Sequence, residues 1–317
     1  MEKKKRIVFL SRYVGVVDRG VETYVLELSK RLKHDFDVEI FSNETSDDIR
    51  KVIKGKFDVV IPTNGRVQSL KVLFGKLFSK YKVIIPGQAG VGRDDLWNIL
   101  ITVPDVYVAL TDYEKDWAKK WAWKTIVVKI PNGVDLRRFK PGEKIDFGLE
   151  KPVVLSVGAL DWYKYHELAI KAVSRMRKGS LLIVGRGQLK KQLEDLGKRM
   201  LGNRFKIAEF DFNDMSKVYK SGDVFTLPSW IRESFGIVYV EAMACGLAVV
   251  APDDLPRREI IGKAGILTDV FDEEKYAKAL EDALNRDWGQ IPVKQAEKFS
   301  WDLIALEYKK LINSLLE

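Results

Sequence analysis

Short apolar runs alternate with longer amphipathic stretches along the whole chain. In the first half the runs fall at residues 7–10, 38–41, 59–62, 83–85 and 106–110, each long enough for one strand. Between the first two, Val21, Val25, Leu28 and Leu32 recur at helical spacing, which predicts a helix over 21–32. The rhythm restarts after about residue 150. Strands are expected there at 153–157, 181–184, 205–207, 224–227 and 248–251, with helices at 166–175, 188–200, 215–220, 236–245 and 273–285. Strand alternating with helix along the chain argues for parallel sheets covered on both faces. The pattern predicts an α/β protein with two doubly wound parallel sheets.

The restart also sets the domain organisation: a first domain over 1–148 and a second over 149–298. The polar stretch 140–151, with Pro141, Gly142 and Gly148 and followed by Pro152, reads as the joint. A closing helix at 301–316, within the segment 299–317, is expected to pack back onto the first domain. Ligands of open parallel sheets meet the carboxyl ends of strands, so the strand-to-helix junctions carry the functional expectations.

Composition narrows the class. With 317 residues, 46% of them hydrophobic and 31% charged, the chain has material for two cores and is not a disordered one. One cysteine, Cys245, and two histidines, His34 and His166, supply neither an intramolecular disulfide nor a Cys/His zinc cluster. A reduced, cytoplasmic protein is expected. The longest apolar stretch, 236–252, contains Glu241 and Gly246 and falls short of a membrane span. The basic start Lys3-Lys4-Lys5-Arg6 precedes too short an apolar run for a signal peptide, and reads as the approach to a strand.

Net charge is +9, and it is uneven: residues 1–150 hold 28 Lys and Arg against 21 Asp and Glu, the remainder 26 against 24. A basic first half points to an anionic partner: nucleic acid, an acidic membrane surface or a phosphorylated small molecule. Within it, Lys71, Lys76, Lys80 and Lys82 flank Leu70, Leu73, Phe74, Leu77 and Phe78. Residues 69–82 are therefore either a basic amphipathic helix resting peripherally on the inner face of a membrane or a surface helix packed on its own sheet. Lys119-Lys120 with Trp117, Trp121 and Trp123 fits a carbohydrate or nucleic-acid contact, and equally a helix burying tryptophan.

The densest junction runs from Val224 to Gly246. A strand ends near Leu227, Pro228 stops it, and a loop leads into a helix beginning near Gly236. Glycine permits close backbone approach, and the first amides of a helix suit a phosphate. Glu233 lies in the loop before the helix and Glu241 about one turn inside it. Two carboxylates flanking an anion site can accept paired hydrogen bonds from vicinal hydroxyls. As isolated residues they are read as readily as a dipole-stabilising acid and a solvated helix residue. Glu241 is the exception, because Val240, Ala242, Met243 and Ala244 make its helix apolar and a charge there needs a partner.

The spacing of Glu233 and Glu241, inside Pro228-Ser-Trp-Ile-Arg-Glu-Ser-Phe-Gly236 and Glu241-Ala-Met-Ala-Cys-Gly246, resembles the signature of retaining glycosyltransferase family 4, the glycosyl transferases group 1. The resemblance continues in Ile130-Pro-Asn-Gly-Val-Asp135 with Phe139, in Val154-Leu-Ser-Val-Gly-Ala-Leu-Asp-Trp-Tyr-Lys164, in Gly185-Arg-Gly187 and in Asp253-Asp-Leu-Pro-Arg-Arg-Glu-Ile-Ile-Gly262. Arg19-Gly-Val-Glu-Thr-Tyr24 is more loosely similar to the family's glycine loop. The resemblance implies a GT-B fold, with two Rossmann-like domains facing across a cleft, a nucleotide-sugar donor on the second and an acceptor mostly on the first. By position, it implies that Glu241 binds the ribose hydroxyls and Glu233 the donor sugar. Ser234 and the amides of Phe235, Gly236 and Ile237 would face the diphosphate and sugar. Lys164 would neutralise the diphosphate, and Gly20 would let the first helix approach it. Lys164 and Glu233 would then be catalytic. The implied reaction moves a hexose from a donor such as UDP- or GDP-hexose to a glycan or lipid-linked acceptor. It needs no metal or other cofactor, and the acceptor attacks from the leaving-group face.

Departures from the family pattern qualify this. Ala159 stands where the family usually has arginine, leaving Arg12, Arg19, Arg186 or Arg232 to supply the second cation. Arg19 replaces the first glycine of the glycine loop, and Gln88, in Pro86-Gly-Gln-Ala-Gly90, stands in the place of a histidine and would hydrogen-bond a sugar hydroxyl. The alternative is a catalytically weak nucleotide-sugar or glycan-binding protein on the same scaffold. An epimerase of the same fold fits the donor signature less well. Nucleic-acid binding explains the charge but none of the motifs. Gly185-x-Gly187 lacks the third glycine of a dinucleotide fingerprint, and Gly90-x-Gly92 has no clear helix start after it. His166 reads as a positional feature rather than a base, His34 as solvated, and the pairs Asp35/Asp37, Asp94/Asp95 and Asp253/Asp254 as turn or cap residues.

Overall fold

A computed structural model describes residues 4–16 and 20–317, and the chain divides into two compact units, Met1–Gly133 with Trp301–Glu317, and Val134–Ser300. The first unit begins β1 (Arg6–Leu10), α1 (Gly20–Leu32), β2 (Asp37–Phe41), α2 (Ile49–Gly55), β3 (Val59–Pro62) and α3 (Gly65–Gly75). It continues with β4 (Lys82–Pro86), α4 (Arg93–Trp97), β5 (Val106–Ala109), α5 (Asp112–Lys119) and β6 (Ile126–Lys129). The second unit holds β7 (Val153–Val157), α6 (His166–Arg175), β8 (Ser180–Val184), α7 (Lys190–Leu201), β9 (Phe205–Ala208), α8 (Met215–Tyr219) and β10 (Val224–Thr226). After these come α9 (Ile237–Ala244), β11 (Val249–Pro252), α10 (Leu255–Ile261), β12 (Gly265–Thr268), α11 (Glu273–Asn285) and α12 (Ile291–Glu297). The last helix, α13 (Trp301–Leu316), belongs to the first unit.

Each unit is one six-stranded parallel sheet, ordered β2-β1-β3-β4-β5-β6 and β12-β11-β10-β7-β8-β9. Every residue of β3, β7 and β8 is buried, as unalternated apolar strands require. In the first unit Phe9, Tyr24, Val25, Leu28, Trp301 and Tyr308 fill one face of the sheet. Tyr24 and Tyr308 join hydroxyls at 2.9 Å, so α13 is tied to α1 by a polar contact inside that core. Arg31 with Asp302 and Lys309 with Asp35, each at 2.6 Å, fasten its rim. The second core gathers Val154, Ile170, Val173, Leu181, Ile183 and Leu280 from β7, α6, β8 and α11.

The sequence boundary at 148 falls too late. Residues 134–148 belong with the second unit: Phe139 packs edge-on to Tyr219 at 5.8 Å, and the Ile145 amide donates to Ser221 Oγ at 2.8 Å. A polar, proline-containing stretch looks like a linker in sequence, yet its backbone groups can be satisfied along a domain surface. Residues 69–75 are part of a surface helix packed on its own sheet, as one of the two expectations had it, but the helix is shorter than 69–82. The helix stops at Gly75, it turns Val72 to the core, and Phe74, Leu77 and Phe78 stand 63%, 76% and 75% exposed. Of the three tryptophans near α5, Trp117 packs against the core while Trp121 and Trp123 are exposed.

Candidate active site

The strand order of the second unit places its topological switch point between β7 and β10, where chains leave toward opposite sides and open a crevice at the strands' carboxyl ends. From β7 the chain passes Gly158 and Ala159 into a short turn, Trp162–Lys164, and then α6. From β10 it passes Pro228 to Glu233, reaches Gly236, and enters α9. The Trp230 amide donates to the Tyr163 carbonyl at 2.9 Å, which locks the two loops together.

Across that lock the Lys164 ammonium pairs with a Glu233 carboxylate oxygen, both side chains being largely shielded from water. Burial alone would raise the Glu233 pKa, but Lys164, with Arg257 behind it, more than offsets this and holds the carboxyl below its usual range. Gly236 has φ +73°, and a Cβ there would lie 2.6 Å from the Tyr239 ring, so only glycine fits where the loop turns into the helix. The first amides of a helix lack partners within it and point out of its N-terminus. Those of α9 follow Gly236, where a Cβ would lie 3.5 Å from Glu233 Cγ, so the helix start adjoins the Glu233 side chain. Glu241 is buried in the apolar helix as expected, and it accepts a 2.7 Å hydrogen bond from the Tyr219 hydroxyl. Burial, then the Glu241 carboxylate, push the Tyr219 pKa well up, which keeps it a neutral donor. Phe235 is buried edge-on against Phe299 at 5.6 Å, so only its backbone is available to a ligand; Ser234 is half-buried beside it.

The loop bearing Glu233 is held from behind by Arg257, which sequence reading placed only in a motif block. Its guanidinium is buried and donates to the Ser229 carbonyl and hydroxyl at 2.8 Å each, to the Trp230 carbonyl at 3.0 Å and to the Tyr239 hydroxyl at 3.0 Å, and it pairs with Asp254. Asp254 also caps α10 through the Arg257 amide at 3.0 Å. On the β7 side His166 is buried between the Ser156 hydroxyl, 3.1 Å from Nδ1, and the Ala159 carbonyl, 3.2 Å from Nε2. Burial pushes its pKa down to about 4, so it is a neutral strut under the Gly158–Ala159 turn. The glycines at 185 and 187 serve a close crossing. A Cβ on Gly185 would meet the Gly158 carbonyl at 1.8 Å, and the Leu160 amide donates to the Arg186 carbonyl at 2.8 Å.

The candidate second cations separate clearly. Arg186 pairs with Glu209 at 2.9 Å and with Asp211 at 3.3 Å, and Arg12, in the first unit, pairs with Asp47. Arg19 lies outside the described residues. Arg232 sits over the Trp230 ring at 5.1 Å and has no ion pair among the described residues. The structure thus brings Lys164, Glu233, Ser234, Phe235, Gly236, Ile237 and Glu241 together in the second unit. Gly20, opening α1, and Gln88, following β4, lie in the first, where Gln88 forms a reciprocal amide pair with Asn132 at 3.0 Å in each direction. Among the described residues no His, Cys, Asp or Glu group has the grouping to hold a metal ion, and no helix is long and apolar enough to cross a membrane.

Residues 140–300, half of the chain, match the family of glycosyl transferases group 1, and the chain belongs to that family. Phosphatidyl-myo-inositol mannosyltransferase of Mycolicibacterium smegmatis is 32% identical over 219 residues, covering 63% of this chain and 56% of that protein. The chain spans about half the length of the curated relatives it matches. Among solved structures, sucrose-phosphate synthase from Thermosynechococcus elongatus superposes with a TM-score of 0.85 at 20% identity, over 98% of this chain and 99% of that one. An Anabaena protein solved in complex with UDP-glucose superposes with a TM-score of 0.80 at 19% identity, over 98% and 99%. These likenesses establish the two-domain α/β architecture of GT-B glycosyltransferases.

Proposed function

We propose that the protein transfers a hexose from a nucleoside diphosphate donor to a hydroxyl of a glycan or lipid-linked acceptor, with retention at the anomeric carbon and without a metal. The observation that carries this is the Lys164–Glu233 pair at the switch point, beside the glycine-capped N-terminus of α9 and one helical turn from Glu241. A mannosyltransferase among the relatives and UDP-glucose bound to a protein of the same fold support it in kind. Glu241 receives the ribose hydroxyls and the Gly236 and Ile237 amides receive the diphosphate. Lys164 exchanges its carboxylate partner for a diphosphate oxygen, which frees Glu233 for the sugar hydroxyls. Breaking the glycosyl–phosphate bond builds negative charge on the leaving diphosphate. The ammonium and helix amides, fixed in advance, stabilise that charge more than they stabilise the bound donor. The acceptor oxygen attacks from the face the diphosphate leaves, and a diphosphate oxygen takes its proton. Arg232, next to Glu233 in sequence and without an ion pair among the described residues, takes the place of the arginine missing at 159. In the first unit, Gln88 hydrogen-bonds an acceptor hydroxyl. With a lipid-linked acceptor, the exposed Phe74, Leu77 and Phe78 touch the membrane surface.

Thermal unfolding with UDP, GDP, ADP and their hexose conjugates, with and without EDTA, tests the donor assignment. A binder at a hundred times its Kd stabilises by about 2.7 kcal/mol. One nucleotide giving such a shift in EDTA supports the assignment, and no shift at millimolar ligand removes it. Ala159 favours a second reading, a catalytically weak nucleotide-sugar-binding protein. Donor binding without hydrolysis or transfer would select that one.

A further inference from the structure

Beside the Lys164–Glu233 pair stands a group of aromatic side chains that neither core uses. Trp162 occupies the short turn leading to Lys164 and is 54% exposed. Its ring lies 5.3 Å from that of Trp230, inclined by 48°, and 5.7 Å from Tyr163, which meets it edge-on. Arg232 covers Trp230 from above at 5.1 Å. These rings stand on the same two loops that carry Lys164 and Glu233. The Trp230-to-Tyr163 backbone bond that locks those loops fixes the rings with them. Trp162 is two residues from Lys164, so its Cα lies within about 7 Å of the lysine's.

An indole left half in water on the loop between β7 and α6 adds little to folding. Its apolar surface remains hydrated, and no core collapses if it is removed. Its faces carry the negative side of the ring quadrupole, which attracts groups of partial positive charge. The apolar face of a pyranose, a set of C–H bonds polarised by neighbouring oxygens, has that character. A hexose needs both an apolar surface and hydrogen-bonding groups. The carboxylate Glu233 suits a ring held by its hydroxyls, and the tryptophan a ring held by its C–H face.

We propose that Trp162, braced by Trp230, is a carbohydrate platform that stacks a hexopyranose unit of the acceptor. The donor's hexose is held next to it by its hydroxyls. The substrate class that follows is an acceptor ending in a pyranose, which narrows the proposed function to elongation of a saccharide. The assignment of that ring to the acceptor rests on the donor site proposed above; the stacking itself does not.

Saturation-transfer NMR on the full chain tests it, with methyl α-glucopyranoside, methyl α-mannopyranoside and methyl α-galactopyranoside as probes, each with and without a saturating nucleoside diphosphate. Ring C–H protons of at least one glycoside are expected to receive saturation from the wild type. Trp162→Ala should weaken that binding by about five- to tenfold, the size of one aromatic stack, and Trp162→Tyr should retain most of it. Thermal stabilisation by nucleotide should be the same in all three proteins. If no glycoside touches the wild type although a nucleotide stabilises it, the platform is wrong and the donor site stands. Glycoside binding lost in Trp162→Ala, with no nucleotide binding to any form, upholds the platform and removes the donor site. Nucleotide affinity falling in Trp162→Ala while glycoside binding holds would mean the indole stacks on a base, and would overturn the proposal.

Discussion

Glu241 accepts a bond from the neutral Tyr219 hydroxyl and Glu233 pairs with the Lys164 ammonium, and on the roles proposed for them deleting each carboxylate has a different expected consequence. Glu241→Ala removes the proposed acceptor for the ribose and leaves a buried Tyr219 hydroxyl without its Glu241 partner. The expected losses are tenfold or more in nucleotide affinity and about 1–3 kcal/mol in stability. Glu233→Gln should leave nucleotide affinity nearly intact and remove the advantage of the nucleotide-sugar over the bare nucleotide. Titration calorimetry of both variants decides this, and unchanged nucleotide affinity in Glu241→Ala would sink the assignment. Arg232→Ala should weaken a nucleoside diphosphate several-fold while leaving the nucleoside unaffected, since only the former presents charge. His166 gives a pH signature. Its folded pKa of about 4 lies below the usual value near 6.5, so below that value the unfolded chain binds the extra proton. Stability from the neutral imidazole is complete above about pH 6.5 and declines as pH falls toward 4, by on the order of 3 kcal/mol. The contribution of Glu233, whose pKa is lowered, fades only at more acid pH, as pH falls through its folded value. Urea unfolding between pH 7.5 and 4.5 should therefore show a shallower decline for His166→Gln than for wild type.

At the scale of elements, α3 and the turn after it make a separable claim. Phe74, Leu77 and Phe78 are exposed together, and Lys71, Lys76 and Lys80 stand among them in sequence. Lys76 pairs with Asp105 at 2.7 Å and Lys71 with Asp47 at 3.7 Å, so the apolar side chains and Lys80 carry most of the expected attraction to an anionic bilayer surface. Sedimentation with phosphatidylglycerol vesicles is expected to carry the protein down, and phosphatidylcholine vesicles to leave it behind. Phe74→Ser with Phe78→Ser should abolish binding, and equal sedimentation with both lipids would count against electrostatic attraction. The elements themselves were unequally legible. Central strands such as β3, β7 and β8 are buried on both faces and announce themselves as unbroken apolar runs. The edge strands β6 and β12 are half-exposed, offer only the short runs 126–128 and 266–267, and go unread in the sequence. So do α2, α4, α10 and α12, none longer than seven residues and too short to display a helical period. In the site, Glu233 and Glu241 were legible because one helix start fixes their spacing. Arg257 was not, because its partners Ser229, Trp230 and Tyr239 lie 18 to 28 residues away and only the fold collects them.

For the whole molecule, the decisive feature is that the residues proposed to hold the donor, Gly20 apart, belong to one of two units, each with its own sheet and core. A nucleotide therefore acts on local opening unevenly. Amides of the Gly158–Lys164 turn and of residues 230–241 exchange with solvent through openings that break the Lys164–Glu233 lock or unwind the start of α9. Such openings must release a ligand held there. At a hundred times Kd the opening becomes rarer by about a hundredfold, equivalent to about 2.7 kcal/mol. Amides of β3 and β4 in the first unit open without disturbing the nucleotide and should keep their rates. The expected hydrogen-exchange map thus shows slowing up to that ceiling in the β7 and β10 loops, little in the first sheet, and smaller effects where α10 and Arg257 hold the Glu233 loop from behind. Protection centred on Gly20 and Gln88, with the Glu233 loop unchanged, would place the nucleotide on the other unit and overturn the donor assignment. The Arg257→Lys variant sharpens the comparison. A lysine retains the charge toward Asp254 and loses most of the fork that grips Ser229 and Trp230. If Arg257 holds the Glu233 loop, exchange over 229–235 should rise in that variant without nucleotide and fall back toward wild-type rates when the nucleotide is added.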